Sequence, residues 1–272
     1  MSITLLDGPI GTVLIDRGHP APPPAWSASC ISTAPGAISS LHQEYAEAGA
    51  THHTTNTFRT RAANVGSEWK SLTEKAVALT RSSTPIHHTI MGCIAPIADC
   101  YRPDLSPMNP GPEHQMMANH LALSGVDLIL CETFPHIDEG LAAAQAALNT
   151  NTETWLSFTA GPNEDLLSIK EIRQGAARAS EMGVSAILVN CVPAVNAHRY
   201  LDAISGHGIP FGIYANAGSP QDGIGWDSDK DGAKRYAELA THWAEIGATL
   251  IGSCCGTGPA HIRALNSVFN PR

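Results

Sequence analysis

Charge is scarce in this 272-residue chain, at 15%, and it leans acidic: 25 Asp and Glu against 16 Lys and Arg, a formal net charge of -9. No block of Lys or Arg stands out, which excludes the electrostatic footprint of a nucleic-acid partner. Long apolar runs are missing too, because Asp, Glu, His or Gly interrupts each candidate before the roughly 18 residues a membrane span needs. The stretch Met1-Ser2-Ile3-Thr4-Leu5-Leu6-Asp7 has no basic region, long apolar core or small-residue cleavage site, so no secretion signal is read. Seven cysteines are an odd number without the density of a small disulfide scaffold. The expected setting is therefore a reducing cytoplasm where thiols serve metals or catalysis.

With 43% hydrophobic residues, the chain can still bury a substantial core. Eight short apolar runs read as buried strands, beginning near Ile3, Ala50, Ile86, Val126, Thr154, Ala186, Pro210 and Ala248. Each precedes a helical pattern: 38–48, 67–81, 113–123, 137–148, 169–182, 197–204, 230–246 and 259–268. Glycines 49, 125, 183 and 247 stand just before strands, where a helix stops in a left-handed cap. Eight strand and helix alternations are the count of a closed (β/α)8 TIM-type barrel in one domain, although a doubly wound open sheet gives a similar local pattern. In a barrel the loops after the strands share one rim, so Asp7, Asn56, Glu132, Cys191, Asn216, Cys254 and Cys255 are expected to converge there. Pro20 to Pro24 reads as a stiff part of a long loop near that rim, and the insert from Ala98 to Pro112 as a lid or a surface excursion.

The vicinal pair Cys254-Cys255 ends the apolar run 248–252, and Cys191 ends the run 186–190. Three thiolates at strand ends can hold one zinc and leave its fourth position open, the ligand count of a catalytic site. Zinc has no redox chemistry and accepts thiolates, and a substrate thiol in that fourth position would stay ionised at neutral pH. The plainer alternative is that the pair is two small buried apolar residues. Cys93 and Cys131 read as core and Cys100 as a loop thiol near the rim. Among thirteen histidines, the pairs His52-His53 and His87-His88 are discounted as ligands, since neighbours on a strand point to opposite faces and both pairs fall early in their strands.

Six stretches, in order along nearly the whole chain, resemble the homocysteine S-methyltransferase family of zinc-dependent barrels. They are Leu6-Asp7-Gly8-Pro9-Ile10-Gly11-Thr12, Thr54-Thr55-Asn56-Thr57-Phe58, Leu130-Cys131-Glu132-Thr133-Phe134, Val189-Asn190-Cys191-Val192-Pro193, Tyr214-Ala215-Asn216-Ala217-Gly218 and Gly252-Ser253-Cys254-Cys255-Gly256-Thr257. The resemblance implies one homocysteine-binding barrel over residues 1–272. It implies that Cys191, Cys254 and Cys255 ligate Zn2+, that homocysteine sulfur completes the tetrahedron, and that Asp7 and Glu132 grip the substrate ammonium, which charge-assisted hydrogen bonds can do. Asn56 and Asn216 are candidates for the homocysteine carboxylate, and Asn216 also for the zinc's open position before substrate arrives. Pro9 stands where the family usually has Gly, which can shift the loop while leaving Asp7 in place.

Family members differ in their methyl donor, and this chain has no room for the further folate and cobalamin domains of the long methionine synthases. A small cation is expected: S-methylmethionine, S-adenosylmethionine or betaine, with Trp226 or Tyr101 facing it through a ring. Thr55-Asn56-Thr57-Phe58 resembles the cobalamin-dependent branch, so delivery by a separate corrinoid protein stays open, as does selenohomocysteine as acceptor. Rival readings are a thiol redox or zinc-storage protein, and a barrel that binds phosphate on the helix after Gly256-Thr257-Gly258-Pro259.

Overall fold

The computed structural model describes residues 2–225 and 230–271. Its strands are β1 (Thr4–Leu5), β2 (His52–Thr54), β3 (Thr89–Ile94), β4 (Leu128–Phe134), β5 (Glu153–Phe158), β6 (Ala186–Pro193), β7 (Phe211–Asn216) and β8 (Leu250–Ser253). All are parallel, in the order β1-β8-β7-β6-β5-β4-β3-β2. The ring closes between β1 and β2 through the Leu6–His52 bridge, with Thr51 N donating to Leu5 O at 2.9 Å and Asp7 N to His52 O at 3.0 Å. The expected closed barrel is thus observed, and the open doubly wound sheet is not.

One long helix follows each strand: α1 (Pro35–Ala48), α2 (Trp69–Ser83), α3 (Gly111–Leu123), α4 (Ile137–Leu148), α5 (Ile169–Met182), α6 (His198–Ile204), α7 (Lys230–Ile246) and α8 (Pro259–Phe269). Gly49, Gly125, Gly183 and Gly247 all have positive φ, as the helix-stop reading required. At Gly49 a side chain is excluded twice over, by φ +112° and by the Asn266 side chain, which a Cβ would meet at 2.3 Å. Helices seat against the barrel where a small residue meets a large one. A Cβ at Gly175 of α5 would come within 2.9 Å of Phe158, and one at Gly140 of α4 within 3.0 Å of the same ring. Burying such a phenylalanine contributes about 1.5–3 kcal/mol.

The register expectation misses at β3, which starts at Thr89 rather than near Ile86. Pro85 begins a turn closed by His88 N to Pro85 O, and Ile86 is left 93% exposed. Inside the barrel, Leu6, Met91, Leu130, Trp155 and Leu188 fill the centre, and the His52 ring stacks on Trp155 with centroids 5.5 Å apart.

His53 turns outward instead and meets α1, where it joins His42. Both are fully buried. His42 Nε2 lies 3.1 Å from Thr80 Oγ1 and His53 Nε2 lies 3.0 Å from His88 Nδ1, while neither Nδ1 has a hydrogen-bond partner among the described residues. Burial pushes His42 down to about 4 and His53 to about 3. These folded values lie below that of the unfolded chain, so the unfolded state takes up protons first as pH falls. The stability this pair contributes is present above about pH 6.5 and is lost between there and about pH 3. At about 1.4 kcal/mol per unit, His42 alone implies a loss of about 3 kcal/mol. Urea denaturation across that range is expected to show the decline, with a shallower one in His42→Leu. A flat profile would contradict neutral burial.

Candidate metal and substrate site

The carboxyl ends of the strands open into a cavity of about 490 Å3. Each of its reactive groups sits where a strand gives way to a loop. At the end of β6 the register with β7 shifts, and Cys191 adopts φ +53°, a left-handed backbone that aims its thiol into the mouth. After β8, Cys254 N donates to Ala215 O at 2.8 Å and Cys255 O accepts from Ala217 N at 2.9 Å, so backbone bonds anchor the pair. Gly252 leaves room for β1, since a Cβ there would lie 2.7 Å from Leu6 Cβ.

The three thiols gather as one group, with sulfurs 3.9 Å apart for Cys191–Cys255 and Cys254–Cys255 and 2.6 Å apart for Cys191–Cys254. A tetrahedral metal with bonds near 2.3 Å sets its sulfurs about 3.8 Å apart. Two edges have that length already, and the third, Cys191–Cys254, is shorter. All seven cysteines of the chain are free thiols. Hydrogen bonds from Cys191 and Cys254 draw the Cys255 thiol well below its ordinary range. This soft, three-membered donor set fits zinc with one position left open.

Two carboxylates share the cavity. Asp7 accepts from Thr54 N at 2.9 Å and Thr54 Oγ1 at 3.0 Å, and Glu132 accepts from Cys93 Sγ at 2.8 Å and Tyr214 Oη at 3.1 Å. Burial pushes both carboxyls up, and Glu132 raises Asp7 further. Neither has a cationic side chain as partner among the described residues. Two such groups facing one cavity create a strong preference for an ammonium. Thr133, next to Glu132, also has a left-handed backbone, at φ +63°. One side chain spans both strained turns: Asn190 accepts from Thr133 N at 3.1 Å and from Ser157 Oγ at 2.7 Å, and donates to Thr133 Oγ1 at 2.8 Å. In the loop after Asp7, the Pro9 carbonyl accepts from the Tyr45 hydroxyl at 2.8 Å.

Other expected site residues fare unevenly. Asn56 lines the cavity but is tied to Ser27, accepting from Ser27 Oγ at 2.7 Å and donating to Ser27 O at 2.8 Å. Asn216 is not among the residues lining the cavity. Its Oδ1 closes a turn by accepting from Gly218 N at 2.8 Å. Tyr101 lines the cavity near the thiols, and Cys191 raises its hydroxyl most. Trp226 lies outside the described residues. The insert from Ala98 covers the mouth rather than wandering from it: Cys100 and Tyr101 line the cavity, and Ser106 Oγ donates to Glu139 at 2.6 Å.

Three features were missed by sequence reasoning. Cys93 is no plain core thiol, since it donates to Glu132. Trp26 stacks on Phe58 in the cavity wall, centroids 6.1 Å apart, with Arg59 beside both. The discounted histidines also need correction. The opposite-face argument holds within His52-His53, yet His53 finds its companion on α1, and one atom each of Asp7, His42 and His53 lie within 4.8 Å of one another.

A homocysteine S-methyltransferase family profile matches residues 4–269. Homocysteine S-methyltransferase of Escherichia coli strain K12 is 29% identical, over 97% of this chain and 94% of its own. A selenocysteine methyltransferase of Astragalus bisulcatus is 24% identical, over 98% of this chain and 92% of its own. The crystal structure of the metallated E. coli homocysteine methyltransferase superposes with a TM-score of 0.80 at 25% identity, covering 98% of this chain and 96% of that one.

Proposed function

Since the chain belongs to the homocysteine S-methyltransferase family, we propose that it is a zinc-dependent methyltransferase that converts L-homocysteine to L-methionine, with residues 1–272 forming one homocysteine-binding barrel. The observation that carries this reading is the union of three gathered thiols and two cation-free buried carboxylates in one cavity. The two sets match the two ends of a thiol-bearing amino acid.

Cys191, Cys254 and Cys255 would hold the zinc. When bound, it would supply a charge that keeps a substrate thiol ionised near neutral pH, where a free alkyl thiol of pKa about 8.5 is mostly protonated. Asp7 and Glu132 receive the ammonium, each oriented by the donors already described. Thr54 fixes Asp7 from the β2 side, while Cys93 and Tyr214 fix Glu132 across the barrel. The side chains thereby present the sulfur in one direction, toward the mouth. Methyl transfer needs donor, methyl and sulfur in line, and holding that alignment is the main catalytic contribution asked of the protein. Cys100 and Tyr101 cover the cavity and limit water. The donor is read as a small onium compound, S-methylmethionine, S-adenosylmethionine or betaine. A cytoplasmic setting fits the free thiols, and among the described residues no helix is long and apolar enough to cross a membrane.

The test combines metal analysis with methionine formation from homocysteine, the three onium donors and methylcobalamin being supplied in parallel. Zinc near one per chain and product from one onium donor are expected. Product from methylcobalamin alone would move the assignment to the barrel part of a split cobalamin-dependent synthase. Absence of both zinc and product would return it to the redox or phosphate readings.

A further inference from the structure

One group in the cavity has no role in the chemistry above. Arg59 follows Thr55-Asn56-Thr57-Phe58 on the loop after β2 and is only 5% exposed. Its Nη1 donates to Pro96 O at 3.2 Å and Ala98 O at 2.8 Å, which ties down the base of the covering loop. Its Cζ lies 4.8 Å from the Trp26 ring centre and 5.0 Å from that of Phe58. Among the described residues no carboxylate pairs with it and Nε and Nη2 have no protein partner, although the residue lines the cavity. Arg61, two residues on and equally buried, is the contrast: it pairs with Glu113 at 3.0 Å and donates to Ala95 O. A buried cation without a counter-charge costs several kcal/mol. Arg61 is structural, whereas Arg59 keeps half of its donor fork in reserve.

The neighbours of Arg59 place it away from the ammonium end. Arg59 touches Pro96 O, Ala98 O and the Trp26 and Phe58 rings, whereas Asp7 is held by Thr54 and Glu132 by Cys93 and Tyr214, so the two sets share no partner. The covering loop, whose base Arg59 holds at Ala98 O, brings Cys100 and Tyr101 to the cavity lining, and Glu132 belongs with Cys93 and Tyr214 on the barrel side. Homocysteine carries its carboxylate on the same carbon as its ammonium, and so keeps it near Asp7 and Glu132. Arg59 is left facing the second substrate.

We propose that Arg59 is an anion subsite that takes a carboxylate of the methyl donor through Nε and Nη2. A planar guanidinium offers two parallel donors to a carboxylate and is the side chain suited to that task. The donor is then a zwitterion, with an onium methyl toward the thiols and a carboxylate at the Trp26–Phe58 wall. A purely cationic donor is disfavoured, because the guanidinium already covers the ring faces that would attract it. This assignment rests on the methyl-transfer reading for the identity of the ligand, but its binding readout is independent of turnover.

Calorimetric titration of the full chain tests it, with S-methylmethionine, S-adenosylmethionine and betaine as carboxylate-bearing probes, trimethylsulfonium as the probe without one, and homocysteine as the acceptor. In Arg59→Met, affinity for at least one carboxylate donor is expected to fall roughly 30-fold or more. Homocysteine should change less than about twofold, and trimethylsulfonium should hold or improve. Arg59→Lys should recover only part of the loss, since it restores the charge but not the fork. Arg61→Met, which loosens the same loop, should leave donor affinity near that of the natural chain. Unchanged donor affinity in Arg59→Met, an equal loss in Arg61→Met, a loss confined to homocysteine, or no binding of any carboxylate donor by the natural chain would each overturn the proposal. Arg59-dependent donor binding with no methionine formed would instead sink the methyl-transfer reading and leave the anion subsite standing.

Discussion

Cys255→Ser protein is expected to fold, to retain little zinc, and to form methionine at least about 100-fold more slowly than the natural chain. Even outer partners of metal ligands cost about 10–100-fold when removed, and a ligand should cost more. Serine keeps the size of the side chain but not the soft, readily ionised sulfur that the donor set depends on. The fold should survive because the turn is held by backbone bonds, Cys254 N to Ala215 O and Ala217 N to Cys255 O, and by Thr257 Oγ1 to Cys254 O at 2.6 Å. Metal analysis with circular dichroism on the same sample separates the two effects. Cys30→Ala, whose thiol makes only a long contact to Pro20 O, should keep its zinc. Full metal occupancy in Cys255→Ser would remove it from the ligand set.

Glu132→Gln should do the reverse, keeping the metal while weakening homocysteine binding. Removing one side of a buried charge pair costs about 2–5 kcal/mol, or about 30- to 5,000-fold in dissociation constant. The free protein should not suffer. In it Glu132 is a carboxylate buried without a cation, its carboxyl pushed up mainly by that burial, and it raises Asp7 in turn. A neutral amide relieves both burdens, so the melting temperature of the substrate-free variant is expected to equal or exceed that of the natural chain. Since an ammonium favours the ionised carboxylates, homocysteine affinity in the natural chain should rise with pH through their elevated range. That rise should be smaller in Glu132→Gln. Unchanged affinity in the variant would take Glu132 out of the site.

The barrel was legible because its signals are local. The strand β6 is a continuous buried run, the glycines before strands sit in left-handed caps, and three cysteines fall at strand ends. The carboxylates were legible for the same reason, since a strand-end position alone puts them on the rim. What escaped depends on contacts between distant residues. Cys93 and Glu132 are 39 positions apart, and nothing near Cys93 distinguishes a core thiol from a proton donor. His42 and His53 belong to different elements, so examining adjacent pairs could not join them. Nothing in the loop sequence marks Arg59, because burial is invisible there. Asn216 is held by a local contact, its Oδ1 accepting from Gly218 N, a use that an asparagine before Ala-Gly offers as readily as substrate contact.

The Asn190 amide has one more consequence. The turn that carries Glu132 and the turn that carries Cys191 are joined through a single side chain, a tie that restrains their separation. On the proposed reading, that separation is a ruler with an ammonium at one mark and a sulfur at the other. Cysteine is one methylene shorter than homocysteine, and since a misplacement of about 1 Å is enough to cost about 100-fold in rate, its methylation is expected to be slower by about that factor. Discrimination by chain length then needs no side chain to touch the methylenes at all.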